Sequence, residues 1–193
     1  MELTVRVPEA LLRHGAVEKV ELVGSRAAGT AVTLSDWDFL VATDDFDAVA
    51  QALPQLVEPL CPLARQWDPL GEHPCYMLML TGAIKVDLIF DRRYEPAPRW
   101  VVTAQTLPRI DAHFWDWVLW LGAKRGAGKH DLFESELEKL SEHILTVLGV
   151  EERPASLEDA VGRYGSALRD AEERLGVKVS PRLGAEVRAR LGL

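Results

Sequence analysis

Two aspartates flank a tryptophan at Asp36-Trp37-Asp38, and a third, Asp87, lies among Ile84, Val86, Leu88, Ile89 and Phe90. The pair Gly24-Ser25 precedes Asp36 with ten residues between them. Side chains on a strand alternate, so Asp36 and Asp38 share one side while Trp37 takes the other. Carboxylates held that close repel unless a cation joins them, and magnesium, a hard ion preferring oxygen ligands, meets the need. The apolar run around Asp87 reads as a buried strand that would ordinarily exclude a charge, so a third metal ligand is the simplest explanation. Two such ions about 3.5–4 Å apart can clamp the attacking and leaving oxygens of an in-line displacement at phosphorus.

The turn after Val20-Glu21-Leu22-Val23 supplies a phosphate cradle: Gly24 lets the backbone approach closely, Ser25 offers a hydroxyl, and a helix start favours anions. Taken singly, a Gly-Ser pair after a strand is a common helix cap, and Asp-x-Asp is a common surface turn. Order and spacing together, with apolar residues on both sides and a later aspartate in an apolar run, are what point to a site.

The segments Val23-Gly24-Ser25-Arg26-Ala27-Ala28-Gly29-Thr30 and Ser35-Asp36-Trp37-Asp38-Phe39-Leu40-Val41 resemble the nucleotidyltransferase fold of the DNA polymerase beta superfamily. The resemblance is strongest to small bacterial antibiotic nucleotidyltransferases and minimal nucleotidyltransferases, and its motifs span about residues 19 to 91. It implies that Gly24 and Ser25 hold the terminal phosphates, with Arg26 counted among the nucleotide-binding residues. It also implies that Asp36 and Asp38 bind two Mg2+ ions (Mn2+ being an alternative) and that Asp87 completes one metal site. ATP or another nucleoside triphosphate would be the donor, and a hydroxyl of a small molecule such as an aminoglycoside or lincosamide the acceptor. Phe114-Trp115 and Ala123-Lys124 loosely resemble the helical half of antibiotic adenylyltransferases, which implies a triphosphate contact for Lys124. Related enzymes use a carboxylate to deprotonate the acceptor; of the helical half's candidates Asp111, Asp116, Glu134 and Glu136, the first two lie nearest the linker and are the ones expected to face the cleft. The alternatives are an antitoxin-type enzyme adenylylating a helical protein partner and a non-catalytic nucleotide-binding module.

Composition narrows the partners. The net charge of −8 argues against a nucleic-acid substrate, since phosphate backbones demand a basic footprint. Residues 151 to 193 carry eight acids and eight bases, so the whole excess falls in the first 150, where it would steer a cationic acceptor. No apolar stretch approaches the roughly 20 residues a membrane span needs, and the first residues lack a basic-then-apolar leader. The expectation is a cytoplasmic protein, monomer or homodimer. Cys61 and Cys75 alone suggest neither a disulfide framework nor a zinc site.

The elements that must position these residues follow from periodicity. A short helix is expected at Pro8 to Leu12, strands at Val17–Val23 and Trp37–Thr43, and a helix capped by Asp44 or Asp45 through Phe46, Val49, Leu53, Leu56 and Leu60. A strand at Leu63–Trp67 and a hairpin, Cys75–Leu80 and Ala83–Phe90 joined at Thr81-Gly82, complete a small mixed sheet. Glu95-Pro96-Ala97-Pro98-Arg99-Trp100 reads as a linker; helices follow at Ile110–Arg125, Asp131–Leu148 and Ser156–Leu175, with a short last one near Pro181. The fold expected is α+β: a nucleotidyltransferase domain over 1–98 and an α-helical bundle over 99–193. Gly126-Ala127-Gly128-Lys129 superficially suggests a P-loop, but the first glycine and the final Ser or Thr are missing and no strand precedes it, so a helix-to-helix turn is expected. Phe114, Trp115, Trp117 and Trp120 read as a helix buried by its aromatics.

Overall fold

The computed structural model describes residues 2–71, 73–92 and 100–193. The chain forms two compact units, Met1–Ala97 and Pro98–Leu193. Apart from Trp100, the expected linker lies outside the described residues.

The first unit is a five-stranded mixed sheet with helices on one face. Strand β1 is Val17–Val23, β2 Trp37–Thr43, β3 Ala64–Trp67, β4 Cys75–Leu80 and β5 Ile84–Phe90. They lie in the order β1-β2-β5-β4-β3, with β2 and β5 parallel and every other neighbouring pair antiparallel. Helix α1 (Leu3–Leu11) and helix α3 (Phe46–Leu56) bury Val7 and Leu11, Val49 and Leu53 against Phe39, Val41, Tyr76, Leu78, Val86, Leu88 and Phe90. The strand residues of that cluster are alternate ones, so the side chains between them belong to the opposite face: Asp38, Met77, Met79, Lys85 and Asp87.

Local chemistry explains the element ends. Asp45 caps α3 by accepting from the Ala48 N–H at 3.0 Å, and Pro54 sits in its last turn. Leu60, expected on that helix, belongs to a separate 3-10 turn, Glu58–Leu60. Helix α1 begins five residues before the expected Pro8, because Leu3, Val7, Ala10 and Leu11 already form the apolar stripe and the proline removes only one backbone bond.

The second unit is helical. Helix α4 spans Leu107–Gly126, α5 His130–Leu140, α6 Leu157–Leu175 and α7 Arg182–Leu191. Beyond α5 the chain continues as a π-helical turn, Ser141–Leu145, and a 3-10 turn, Thr146–Leu148, ended by Gly149 in the left-handed region. Ser156 caps α6 by accepting from the Asp159 N–H. The Gly126 to Lys129 segment is the turn between α4 and α5, as its failed P-loop pattern implies. Most of α4 is buried: Phe114 stacks on Tyr164 with ring centroids 3.6 Å apart, and Gly184 of α7 meets the Trp115 indole so closely that a Cβ there would stand 2.6 Å from the ring. No described helix is long and apolar enough to cross a membrane.

Candidate metal and nucleotide site

Parallel pairing of β2 with β5 sets Asp38 directly against Asp87 in register. Both side chains stand on the face away from α1 and α3, and Asp36, two residues before Asp38, joins them. One carboxylate oxygen from each of Asp36, Asp38 and Asp87 lies within 4.8 Å of the others. The three aspartates thus meet at one end of the sheet as expected, and the long crossover that a parallel pair requires is what brings Asp87 beside Asp38.

Gly24 is fitted against this triad. It starts the short helix α2 (Gly24–Ala27) with φ +67°, and a Cβ placed on it would lie 2.3 Å from Asp38 Oδ2. The backbone therefore approaches Asp38 as only glycine permits. Ser25 follows, half-buried, its carbonyl accepting from the Thr30 N–H at 2.9 Å.

Arg26 is engaged with the chain itself. Its Nε donates to the Asp36 carbonyl at 2.9 Å, its Nη2 donates to the Ser35 carbonyl, and its guanidinium lies 4.0 Å from the centre of the Trp37 ring. It thus ties α2 to the first residues of the Asp-Trp-Asp motif. Burial lowers its pKa, and the charges of Asp36 and Asp38 oppose that shift.

Lys85 is the residue that the sequence pattern hid. Two positions before Asp87 on the same face of β5, its ammonium donates to Asp87 Oδ1 at 2.9 Å. Lys85 is 8 % exposed and Asp87 9 %, so this is a buried ion pair inside a run that reads as apolar. A basic residue at the same strand parity as a buried acid was the available signal.

The remaining expected residues belong to α4 in the second unit. Asp111 is buried, and its Oδ1 accepts from Trp115 Nε1 at 3.0 Å and from the Tyr164 hydroxyl at 2.8 Å. Burial raises its pKa to about 6, against the lowering effect of those two hydrogen bonds and of Arg188. Asp116 is likewise buried. Lys124, in the last turn, has its ammonium 4.4 Å from the centre of the Trp120 ring.

Several solved structures resemble this one. An aminoglycoside 6-adenyltransferase from Bacillus subtilis aligns over 98 % of this chain and 96 % of its own, at 10 % identity and a TM-score of 0.40. The polymerase core of TRAMP, an RNA surveillance complex, aligns over 89 % of this chain and 54 % of its own, at 12 % identity and a TM-score of 0.38. A cytoplasmic RNA terminal U-transferase covers 62 % of this chain and 35 % of its own, at 18 % identity and a TM-score of 0.35. No family model and no curated protein matches the sequence. At such TM-scores, what the chain does must be read from its own carboxylates.

Proposed function

We propose that this chain is a metal-dependent nucleotidyltransferase, taking a nucleoside monophosphate from ATP to a hydroxyl of a small molecule. The observation that carries the reading is the convergence of three carboxylates within 4.8 Å beside a glycine whose backbone abuts one of them. The donor set fits a hard divalent cation: all three ligands are carboxylate oxygens, and beside them Lys85 is ion-paired with Asp87. Bound there, Mg2+ or Mn2+ would neutralise phosphate charge and stabilise the entering and leaving oxygens.

The chain's own residues do the rest. Gly24 and Ser25 receive the terminal phosphates, which fixes the direction in which pyrophosphate departs. Arg26 holds Ser35 and Asp36 in place, so that the first carboxylate enters β2 with fixed orientation. Because Asp111 Oδ1 is shared by Trp115 and Tyr164, the proposal gives the acceptor's proton to Asp87 and leaves Asp111 a packing role. Positioning and charge neutralisation then supply most of the acceleration.

The net charge of −8 favours a small or cationic acceptor, such as an aminoglycoside or lincosamide, over a nucleic acid. The test is to incubate the protein with each nucleoside triphosphate, Mg2+ and panels of aminoglycosides, lincosamides and short RNAs. A mass increase of one nucleoside monophosphate on a small molecule supports the reading. Extension of RNA, or no nucleotide consumption with any acceptor, overturns it.

A further inference from the structure

The site contains a polar group on its far side that nothing in the triad uses. Gln66 on β3 is only 6 % exposed, and neither its amide oxygen nor its amide nitrogen has a hydrogen-bond partner. A buried amide left unmade costs free energy, and such groups are rare enough in folded proteins to call for a reason.

Register places it. Gln66 pairs with Met77, Met77 with Asp87, and Asp87 with Asp38, so these four residues form one row across β3, β4, β5 and β2. Its neighbours Arg65 and Trp67 turn to the other face, where Trp67 packs on Phe46 and Phe90 and Arg65 donates to the Pro54 carbonyl. The glutamine therefore shares the face of the triad, two strand spacings or about 10 Å from Asp87.

The order of the row gives it a direction. Gly24 follows β1, on one side of the carboxylates, and Gln66 lies on the other. An in-line displacement requires attack opposite the leaving group; with pyrophosphate departing along Gly24 and Ser25, the nucleophile enters from the side of β4 and β3. We propose, building on the nucleotidyltransferase reading, that Gln66 is an acceptor-specificity residue, its amide donating to and accepting from adjacent hydroxyl or amino groups of a small polyhydroxylated acceptor. A carboxamide offers two donors and an acceptor oxygen in one plane, which matches vicinal polar groups on a sugar or cyclitol ring. A site built to hydrogen-bond such a group also rejects analogues that lack it, because the amide would again be left unpaired.

The experiment compares wild type with Gln66→Leu and Gln66→Met. In the ligand-free protein either change removes the orphaned polar atoms, so we expect the melting temperature to rise by about 2–4 °C. A fall in both variants means that the amide is structural, bridged by water, and overturns the proposal. Calorimetry with a non-hydrolysable ATP analogue and Mg2+ should give the same Kd within about twofold for all three proteins. A selective loss in the variants makes Gln66 a nucleotide contact and also overturns it. Steady-state kinetics with the amino sugars kanamycin, neamine and tobramycin should show an acceptor KM raised at least tenfold in the variants, the KM for ATP unchanged. Equal acceptor KM values refute the assignment. Wild-type protein that binds the nucleotide yet modifies none of these sugars refutes the acceptor class named here. Wild type that binds no nucleotide refutes the underlying reading instead.

Discussion

Gly24→Ala separates backbone strain from damage to the carboxylates, because Gly29 provides a matched control. Both glycines adopt left-handed φ values, +67° and +71°. An L-residue there costs roughly 1–2 kcal/mol, so each alanine variant should melt a few degrees below wild type. Only the surroundings differ: a Cβ at Gly29 meets nothing within 4 Å, whereas one at Gly24 stands 2.3 Å from Asp38 Oδ2. To restore ordinary contact the Asp38 carboxylate must retreat by about 1 Å, and a displacement of that size costs on the order of a hundredfold in rate. We expect Mn2+ affinity, measured by calorimetry, to fall at least tenfold in Gly24→Ala and to stay within about twofold of wild type in Gly29→Ala. Equal Mn2+ binding by the two variants would show that Gly24 is not what seats Asp38.

Three further changes probe other parts of the structure. Lys85→Met removes the partner of a buried carboxylate and should destabilise the first unit by about 3–5 kcal/mol, partly recovered on adding Mn2+; an unchanged melting temperature would refute the buried pair. Asp111 titrates near 6 when folded, above its ordinary carboxylate value, so the folded form binds the extra proton between about pH 4 and pH 6. Its contribution to stability is therefore fully present below about pH 4 and is lost as pH rises through 6, up to about 3 kcal/mol in denaturant titrations, and Asp111→Asn should flatten that slope. Gly184→Ala drives a methyl into the buried Trp115 indole and should cost about 1–3 kcal/mol by thermal melting, with no effect on Mn2+ affinity.

What the sequence disclosed, it disclosed through periodicity. The period of two set Asp36 and Asp38 on one side, the apolar flanks marked Asp87 as a buried charge, and Ser156 announced the start of α6 by its capping chemistry. The β2–β5 pairing was not legible, since nothing local encodes which distant strand becomes a neighbour. Lys85 does not stand out inside an apolar run, because a lysine is rarely buried unless it is paired, and its partner Asp87 is met only in the fold. A lone amide such as Gln66 in a four-residue strand carries no pattern. Nearness to the linker does not tell which way Asp111 faces along α4; it is buried there, and its Oδ1 accepts from Trp115, one helical turn on, and from Tyr164 of α6. Nothing local in the sequence announces that Arg26 donates to the carbonyls of Ser35 and Asp36.

The most direct test is the Mn2+-dependent binding of α,β-methylene ATP by wild type and by Asp38→Asn, which keeps the side chain's size and removes its charge. The expected result is metal-dependent binding by wild type and a loss of at least a hundredfold in Asp38→Asn, with the fold intact by circular dichroism. Binding of equal strength in both proteins, or binding by wild type that ignores chelation of the metal, would contradict the assignment of Asp36, Asp38 and Asp87 as the metal site.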